Sequence, residues 1–262
     1  MRRCAVIGSP ISHSLSPALH QAGYEWLGLD WVYERHEVTP DTLNGFIAGL
    51  GDEWRGLSVT MPCKKAIVHL GIPDEVVTAL GVGNTVIFDG HPQDRTTTRI
   101  HNSDVSGVRT VLGGMDPCSE VLVYGNGATA RSCVYALSGL GVPRVQVKAR
   151  NQDATHDLAA DAARWGIEVV PPGPRADVLV STVPADVAAD WGIGSASEVF
   201  DVLYDPWPTP LVTQARAAGL TTATGLDLLA AQAVGQMELM TGSHVDFSVL
   251  RSAADQSMAR LK

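Results

Sequence analysis

Short runs of apolar and β-branched residues alternate with helix-like runs along almost the whole chain, and this alternation strongly constrains the fold. Strand-like runs occur at residues 4–8, 31–38, 56–60, 84–88, 96–100, 121–124, 145–148, 169–170, 178–182 and 199–204. Helix-like runs occur at residues 16–28, 41–50, 131–140 and 227–241. Such alternation predicts an α/β fold with helices packed on mostly parallel sheets. The turn-rich segment 89–95 predicts a hairpin between the two strands beside it.

The chain is long enough for two domains, and the pattern restarts near its middle. It has 262 residues, which fits one large or two smaller domains. A second series of strands and helices begins after Gly113-Gly114, so we place a domain boundary near residues 101–107. The helix at 227–241 has Leu228, Leu229, Gln232, Ala233 and Gln236 on one face. We expect the last helices to return to the first domain.

Charge and composition argue against nucleic acid and membranes as partners. The formal net charge is −9, and an acidic protein repels nucleic acid and anionic lipid. No apolar stretch approaches the roughly 18 residues that a membrane span needs. The N terminus enters a strand-like run directly instead of a signal peptide. These features favour a small-molecule ligand, and an anionic one would need local hydrogen-bond donors.

The cysteines give no sign of a metal or redox centre. Cys4, Cys63, Cys118 and Cys133 are widely separated, and no two form a Cys-x-x-Cys pair. This spacing predicts neither a zinc site nor a redox dithiol. Reduced thiols are typical of a cytoplasmic protein, which is the location we predict.

A glycine-rich turn follows the strand-like run at 121–124. Its sequence, Gly125-Asn126-Gly127-Ala128-Thr129-Ala130, has the form G-x-G-x-x-A and precedes a helix-like run. Glycines let the backbone approach a pyrophosphate, and the start of the helix supplies unpaired N–H groups. The motif therefore predicts a dinucleotide site. The alternative from the motif alone is a tight structural turn.

The residues after the next strand indicate which dinucleotide would bind. NAD-binding versions of this motif usually place an acidic residue about 20 positions on, where it holds the ribose 2′-hydroxyl. Here Ala149-Arg150-Asn151 occupies that place, without a carboxylate. The guanidinium of Arg150 can bind a 2′-phosphate through paired hydrogen bonds. We therefore predict NADP(H) in preference to NAD(H).

Two strand ends carry candidate catalytic groups. Thr60 ends the run at 56–60, and Lys64 follows it closely. Strand ends commonly present catalytic groups to a ligand, so Lys64 is a candidate proton donor and Thr60 a candidate substrate ligand. The alternative is a solvated lysine at the start of a surface helix. Asp104 follows the run at 96–100 and is the candidate partner. Its alternative role is to cap a helix that begins near Val105.

A serine-rich segment, Ser12-His13-Ser14-Leu15-Ser16-Pro17, precedes the first helix-like run. Hydroxyl groups at a helix entrance bind a carboxylate well. The structural alternative is that Ser16 caps the helix, with Pro17 as the first helical residue. The two roles are compatible.

Together these segments resemble the shikimate dehydrogenase family over essentially the whole chain. The resemblance rests on the order and spacing of SHSLSP, SVTMPCK, GVGNT, HNSD, GNGATA, ARN, STVP, DVLYDPWPTPL and GLDLLAAQA. It implies NADPH-dependent reduction of 3-dehydroshikimate to shikimate, a step of aromatic amino acid biosynthesis. Combined with the boundary above, it predicts a substrate-binding catalytic domain at 1–104 plus 226–262. Residues 105–225 would form a Rossmann-type NADP-binding domain.

The resemblance also implies roles for individual residues. Lys64 matches the catalytic lysine and Asp104 its partner, and the choice of Lys64 over Lys65 rests on the family pattern T-x-P-x-K. Ser14 and Ser16 match the hydroxyls that hold the substrate carboxylate, assisted by Tyr204. The matches for the ligands of the ring hydroxyls are Thr60, Asn84, Asp104 and Gln232. The cofactor matches are Gly125 to Ala130 and Ala149 to Asn151, with Thr182, Val183, Leu203 and Gly225 near the nicotinamide half.

Three positions depart from the family pattern, and several alternatives stay open. The family often has asparagine where Ser58 stands, threonine where Ser103 stands and a further glycine where Ala128 stands. A quinate or dual quinate/shikimate dehydrogenase is the nearest alternative function. A non-catalytic metabolite- and nucleotide-binding paralogue is a second, although Lys64 and Asp104 are both present. A folate-type dehydrogenase is a third, which the serine-rich entrance does not support. Sequence leaves monomer and homodimer open.

Overall fold

The computed structural model describes residues 1–115 and 120–260. Cys118 lies outside the described residues. Residues 1–104 and 229–260 form one compact unit, and the described residues between 105 and 228 form another. Within the described residues, no helix combines the length and the apolar character that crossing a membrane requires.

The elements alternate as the sequence pattern predicts. Up to the middle of the chain they are β1 (Arg2–Gly8), α1 (Ser16–Leu27), β2 (Trp31–Glu37), α2 (Pro40–Ala48), β3 (Trp54–Val59), a 3₁₀ helix (Ala66–Leu70), β4 (Ile72–Pro73), α3 (Glu75–Leu80), β5 (Thr85–Phe88), β6 (Thr98–His101) and α4 (Ser103–Gly113). The next are β7 (Val121–Tyr124), α5 (Ala128–Ser138), β8 (Arg144–Lys148), α6 (Gln152–Arg164), β9 (Glu168–Val170), β10 (Val178–Ser181), α7 (Ala185–Trp191), β11 (Glu198–Asp201), α8 (Pro210–Ala217) and β12 (Thr221–Thr224). The chain then forms α9 (Gly225–Thr241) and α10 (Phe247–Arg260).

The first unit contains a mixed sheet in the order β2-β1-β3-β5-β6-β4. Strand β1 pairs in parallel with both β2 and β3, and β4 pairs in parallel with β6. Strand β5 is antiparallel to both β3 and β6, which confirms the predicted hairpin. Strand β1 lies between β2 and β3, and its residues Cys4–Gly8 are all buried, as expected for a strand covered on both faces.

The second unit contains a wholly parallel sheet in the order β12-β11-β10-β7-β8-β9. Numbered from its own first strand, this sheet has the order 3-2-1-4-5-6 of a doubly wound dinucleotide-binding fold. The strand order reverses between β7 and β10, where such folds bind their ligands. The glycine-rich turn directly follows β7.

Several predicted boundaries are wrong by a few residues. Helix α5 begins at Ala128, so it includes half of the glycine-rich motif. Strand β11 ends at Asp201, and Tyr204 therefore lies in a loop and not on a strand. Asp104 does not cap α4 but lies in its first turn. Ser16 is the first residue of α1, with Leu15 at the cap position, so the predicted capping by the Ser16 side chain is also wrong.

Candidate active site

The side chains of Lys64 and Asp104 form a close ion pair in the first unit. Lys64 Nζ donates a hydrogen bond of 2.6 Å to Asp104 Oδ2. The two side chains are 19% and 10% exposed, respectively, so water screens their interaction only partly. The sequence placed these residues at two strand ends, and the structure brings them together.

The turn that carries Lys64 is held against the core. After β3 the backbone N–H of Cys63 donates to the Thr60 carbonyl at 3.0 Å, and the buried Cys63 thiol donates to the Val38 carbonyl at 3.3 Å. The carbonyl of Lys64 accepts the backbone N–H of Gly83 at 3.0 Å. Lys64 therefore sits in a turn before the 3₁₀ helix and not at the start of a surface helix, as the alternative prediction had it.

Asn84, directly before β5, completes the cluster. Its Nδ2 donates to Asp104 Oδ1 at 2.8 Å, so both carboxylate oxygens of Asp104 are engaged. The Asn84 Oδ1 accepts the backbone N–H of Ser103 at 2.7 Å. The backbone N–H of Asp104 in turn donates to Asn102 Oδ1 at 3.1 Å. Asp104 is thus held from its backbone and from both oxygens.

The serine-rich entrance is held by an arginine that sequence reasoning did not identify. The Arg35 guanidinium on β2 donates to the carbonyl oxygens of Ser12 and Ser14, each at 3.0 Å. The backbone N–H of Ser16 donates to Ser14 Oγ at 3.3 Å. Arg35 therefore fixes the loop whose hydroxyls are predicted to bind a carboxylate.

The remaining predicted substrate ligands lie in three separate parts of the chain. Thr60 directly follows β3, and its backbone N–H donates to the Ile7 carbonyl at 2.9 Å. Gln232 is half-buried on α9. Tyr204 belongs to the second unit, where burial and the charge of Asp205 raise the pKa of its hydroxyl, so it stays a donor at neutral pH. Among the described residues of the predicted set, direct hydrogen bonds between side chains join Lys64, Asn84 and Asp104.

The glycine-rich turn of the second unit has the backbone that the motif requires. Gly125 adopts a φ of 103°, and a Cβ there would lie 2.4 Å from Thr182 Oγ1. Gly127 occupies the cap position of α5, and no side chain caps that helix. The first N–H groups of α5 therefore remain available to an anion such as a pyrophosphate.

The two turns predicted to bind cofactor are joined to each other. Asn126 Nδ2 donates to the Asn151 carbonyl at 2.6 Å and to Thr155 Oγ1 at 2.9 Å. Asn151 caps α6 by accepting the backbone N–H of Ala154 at 3.1 Å. Arg150, between Ala149 and Asn151, is exposed. The Arg150 guanidinium therefore lies just after β8 and is free to bind a phosphate group.

The other predicted cofactor residues form two further groups in this unit. Thr182 Oγ1 donates to the Tyr124 carbonyl at 2.7 Å, and Val183 Cγ1 would lie 3.2 Å from a Cβ on Gly125. The backbone N–H of Gly225 donates to the Leu203 carbonyl at 3.2 Å. The uncapped helix start and the tight glycine turn fit a dinucleotide phosphate.

A buried polar cluster escaped the sequence-based prediction. It consists of His20, Tyr33, Ser58, Thr85, Ser103 and Gln236, all of them buried. The sequence offered a sign of this cluster at one residue only. Gln236 lies on the face of α9 that the helical pattern predicts to be buried. Polar residues at inward-facing positions are unusual unless they have partners.

Comparison with known proteins agrees with the fold. The family model described as the shikimate dehydrogenase substrate binding domain matches residues 6–86. A shikimate dehydrogenase (NADP(+)) of Methanocella arvoryzae is 33% identical over 95% of this chain and 97% of its own length. The crystal structure of Mycobacterium tuberculosis shikimate dehydrogenase is 36% identical, covers 100% of both chains and superposes with a TM-score of 0.89.

A third similar protein was solved with ligands. The shikimate 5-dehydrogenase of Thermus thermophilus, in complex with NADP(H) and shikimate, is 30% identical and superposes with a TM-score of 0.84. The match covers 98% of this chain and 100% of that one. The fold and these relatives are those of an α/β oxidoreductase with a dinucleotide-binding unit. The chain belongs to the shikimate dehydrogenase family.

Proposed function

We propose that this protein catalyses the reversible NADPH-dependent reduction of 3-dehydroshikimate to shikimate, a step of the shikimate pathway towards chorismate and the aromatic amino acids. The observation that carries the proposal is the Lys64–Asp104 ion pair, held by Asn84 at the ends of three strands. The relatives named shikimate dehydrogenase (NADP(+)) support the same substrate and cofactor. The Thermus thermophilus relative in complex with NADP(H) and shikimate does so too.

Lys64 has the chemistry that a carbonyl reduction needs from the protein. When bound, NADPH supplies the hydride. The Lys64 ammonium stabilises the negative charge that develops on the carbonyl oxygen and donates its proton there, giving the alcohol. In the oxidative direction the neutral amine takes the hydroxyl proton back. Asp104 accepts one N–H of the ammonium at 2.6 Å and so directs another towards the substrate.

Asp104 and Asn84 also have complementary roles towards a substrate hydroxyl. The carboxylate of Asp104 can only accept a hydrogen bond, and the Asn84 Nδ2 that faces it can only donate one. A hydroxyl group both donates and accepts, so it satisfies the two side chains together. We assign Thr60 and Gln232 to the other ring hydroxyls, and Ser14, Ser16 and Tyr204 to the carboxylate.

We assign the cofactor to the second unit. Gly125, Asn126, Gly127, Ala128, Thr129 and Ala130 would hold the pyrophosphate, and Arg150 with its neighbours Ala149 and Asn151 the 2′-phosphate. Thr182, Val183, Leu203 and Gly225 would lie along the nicotinamide half. The exposed guanidinium of Arg150 and the absence of a carboxylate among residues 149–151 support NADP(H) over NAD(H). The buried thiols of Cys4 and Cys63 suit a reducing compartment such as the cytoplasm.

A substrate and cofactor panel tests the proposal. Purified protein is incubated with shikimate or quinate and with NADP⁺ or NAD⁺, and the absorbance of the reduced nicotinamide is followed. We expect kcat/KM to be highest for shikimate with NADP⁺. A higher value for quinate would assign the protein to quinate oxidation, and no turnover of either substrate would favour a binding paralogue.

A further inference from the structure

A continuous line of buried hydrogen bonds leads to the Lys64–Asp104 pair from Tyr33 on the edge strand β2. Tyr33 OH donates to Ser58 Oγ at 2.6 Å, and Ser58 Oγ donates to Gln236 Oε1 at 2.8 Å. Gln236 Nε2 donates to Thr85 Oγ1 at 3.1 Å, and Thr85 Oγ1 donates to Asn84 Oδ1 at 3.0 Å. Asn84 then donates to Asp104, as described above. Every bond in this line points the same way.

The amide of Gln236 is fixed in one orientation by its neighbours. Its Oε1 lies 2.8 Å from Ser58 Oγ and 3.2 Å from His20 Nε2. Ser58 already accepts the Tyr33 hydroxyl, so its own hydrogen is free to point at Gln236. The Nδ1 of His20 is buried without a hydrogen-bond partner among the described residues, which places the ring proton on Nε2. Two donors therefore converge on Oε1, and Nε2 must face Thr85.

The register of the sheet explains why Gln236 can connect these residues. Ser58 on β3 and Thr85 on β5 are directly opposite in the antiparallel ladder. Gln236 approaches both from α9 and joins the pair with one oxygen and one nitrogen. Ser58 stands two residues before Thr60, and Thr85 stands next to Asn84. Through Ser58 and Thr85, Gln236 thus connects the two strand ends that carry the predicted substrate ligands Thr60 and Asn84.

Thr85 transmits this orientation to Asn84. A threonine hydroxyl has one hydrogen, and the Gln236 N–H occupies a lone pair of its oxygen. The hydrogen can then point at Asn84 Oδ1, at 3.0 Å, or at the more distant Ser103 Oγ, at 3.4 Å. The Ser103 hydroxyl itself donates to Asn84 Oδ1 at 3.1 Å. The Asn84 oxygen is saturated with donors, so its Nδ2 faces Asp104 and the ligand.

We infer that Gln236 is a positioning residue for substrate binding. Acting through Thr85, it holds Asn84 as a hydrogen-bond donor beside the acceptor Asp104, and this arrangement selects a hydroxyl group on the ligand. The inference rests on the proposed function, because it names the ligand of that same site. Ser58 is one of the positions where this chain departs from the usual family residue, so the line from Tyr33 through Ser58 to Gln236 depends on this chain's own sequence.

Variants of Gln236 and Thr85 test the inference by the kinetic constant that they change. Gln236→Met keeps the size of the side chain and removes its hydrogen bonds, and Thr85→Val keeps the shape and removes the hydroxyl. We expect KM for shikimate to rise about fivefold in Gln236→Met and about tenfold in Thr85→Val. KM for NADP⁺ should stay within about twofold. Thr85→Ser keeps the hydroxyl, so its KM for shikimate should be close to that of the wild-type protein.

Two controls separate positioning from general destabilisation. Met237→Leu changes a buried neighbour of Gln236 at nearly constant volume and should leave both KM values unchanged. If Gln236→Met raised KM for shikimate and KM for NADP⁺ equally, or left both unchanged, the inference would be overturned. A Thr85→Ser variant as impaired as Thr85→Val would overturn it too.

An NMR measurement keeps this test independent of the proposed activity. The ¹⁵N chemical shifts of His20 report which ring nitrogen carries the proton, and the structure requires Nε2. A proton on Nδ1 would reverse the orientation of the Gln236 amide and contradict the inference even if shikimate is turned over. If the wild-type protein shows the Nε2 tautomer but does not turn over shikimate, the proposed function fails and not the hydrogen-bond network.

Discussion

Lys64 and Asp104 lie 40 residues apart in the sequence, yet Lys64 Nζ is 2.6 Å from Asp104 Oδ2. The short distance follows from the fold, because the turn after β3 and the start of α4 after β6 meet beside β5. Asn84, directly before β5, donates a hydrogen bond to the same carboxylate at 2.8 Å. The three side chains therefore act as one unit, and replacing any of them should disturb the other two.

Replacing Lys64 should abolish most of the activity, whereas replacing its neighbour should not. Lys64→Ala removes the proton donor, and we expect kcat to fall about 10²- to 10⁴-fold with a modest change in KM. Lys65 is exposed, so Lys65→Ala serves as the matched control and should keep kcat within about twofold. Steady-state kinetics in both directions measure the effect. A nearly normal kcat in Lys64→Ala would remove this residue from the chemistry.

Replacing Asp104 should impair binding as well as catalysis. Asp104→Asn keeps the shape but loses the charge that holds the Lys64 ammonium and one acceptor for the substrate hydroxyl. We expect kcat to fall and KM for shikimate to rise, each by about tenfold or more. The two constants come from the same initial-rate series. An effect on kcat alone would mean that Asp104 orients Lys64 without touching the substrate.

Replacing Arg150 should change the choice of cofactor. The exposed guanidinium would contact only the 2′-phosphate, which NAD⁺ lacks. We expect Arg150→Ala to raise KM for NADP⁺ about tenfold and to leave KM for NAD⁺ unchanged. Arg175 is a matched control, since it is an exposed arginine of the same unit. If Arg150→Ala uses NADP⁺ as well as the wild-type protein does, the assignment of Arg150 is wrong.

The sequence predicted helices, strands and the residues at strand ends better than it predicted contacts between distant parts of the chain. Lys64 and Asp104 were identifiable because each closely follows an apolar run, and the family resemblance singled them out. The role of Gln236 was not identifiable, because its hydrogen bonds to Ser58 and Thr85 span 178 and 151 residues. Such contacts depend on strand register and helix placement, which local patterns do not encode.

The predicted strand limits were wrong where the local composition was ambiguous. The apolar residues Val202 and Leu203 extended the predicted strand beyond Asp201, where β11 ends. Strand β12 (Thr221–Thr224) was missed because three of its four residues are threonine and give no alternation of apolar and polar residues. It forms because β11 offers it a parallel edge. Tertiary pairing thus overrides a weak local signal.

Gly125 should not tolerate a side chain. Its φ of 103° disfavours any L-residue, and a Cβ would lie 2.4 Å from Thr182 Oγ1. We expect Gly125→Ala to cost about 2 kcal/mol of unfolding free energy and to weaken NADP⁺ binding. Gly113→Ala in α4 is the control, because a Cβ there meets nothing within 4 Å, and its stability should change by less than about 1 kcal/mol. Urea denaturation and cofactor titration measure the two effects. Equal stability of the two variants would contradict the close approach at Gly125.

His20 should make the stability of the protein depend on pH in the mildly acidic range. Burial lowers the pKa of its imidazole from 6.5 to about 4, although the hydrogen bond with Gln236 acts in the opposite direction. Between these two values the unfolded chain binds a proton that the folded protein excludes, so stability is full above pH 6.5 and falls as the pH drops towards 4. The loss from this one group should reach about 3 kcal/mol near pH 4.

The comparison with His20→Gln isolates this contribution. Glutamine does not titrate, so the variant should lose about 3 kcal/mol less than the wild-type protein between pH 7 and pH 4. It should start from a lower stability at pH 7, because it gives up the stacking of the His20 ring on Tyr33, whose ring centroid is 4.0 Å away. Urea denaturation at a series of pH values provides both numbers. Parallel pH profiles of the two proteins would mean that the folded protein binds a proton at His20 as readily as the unfolded chain does.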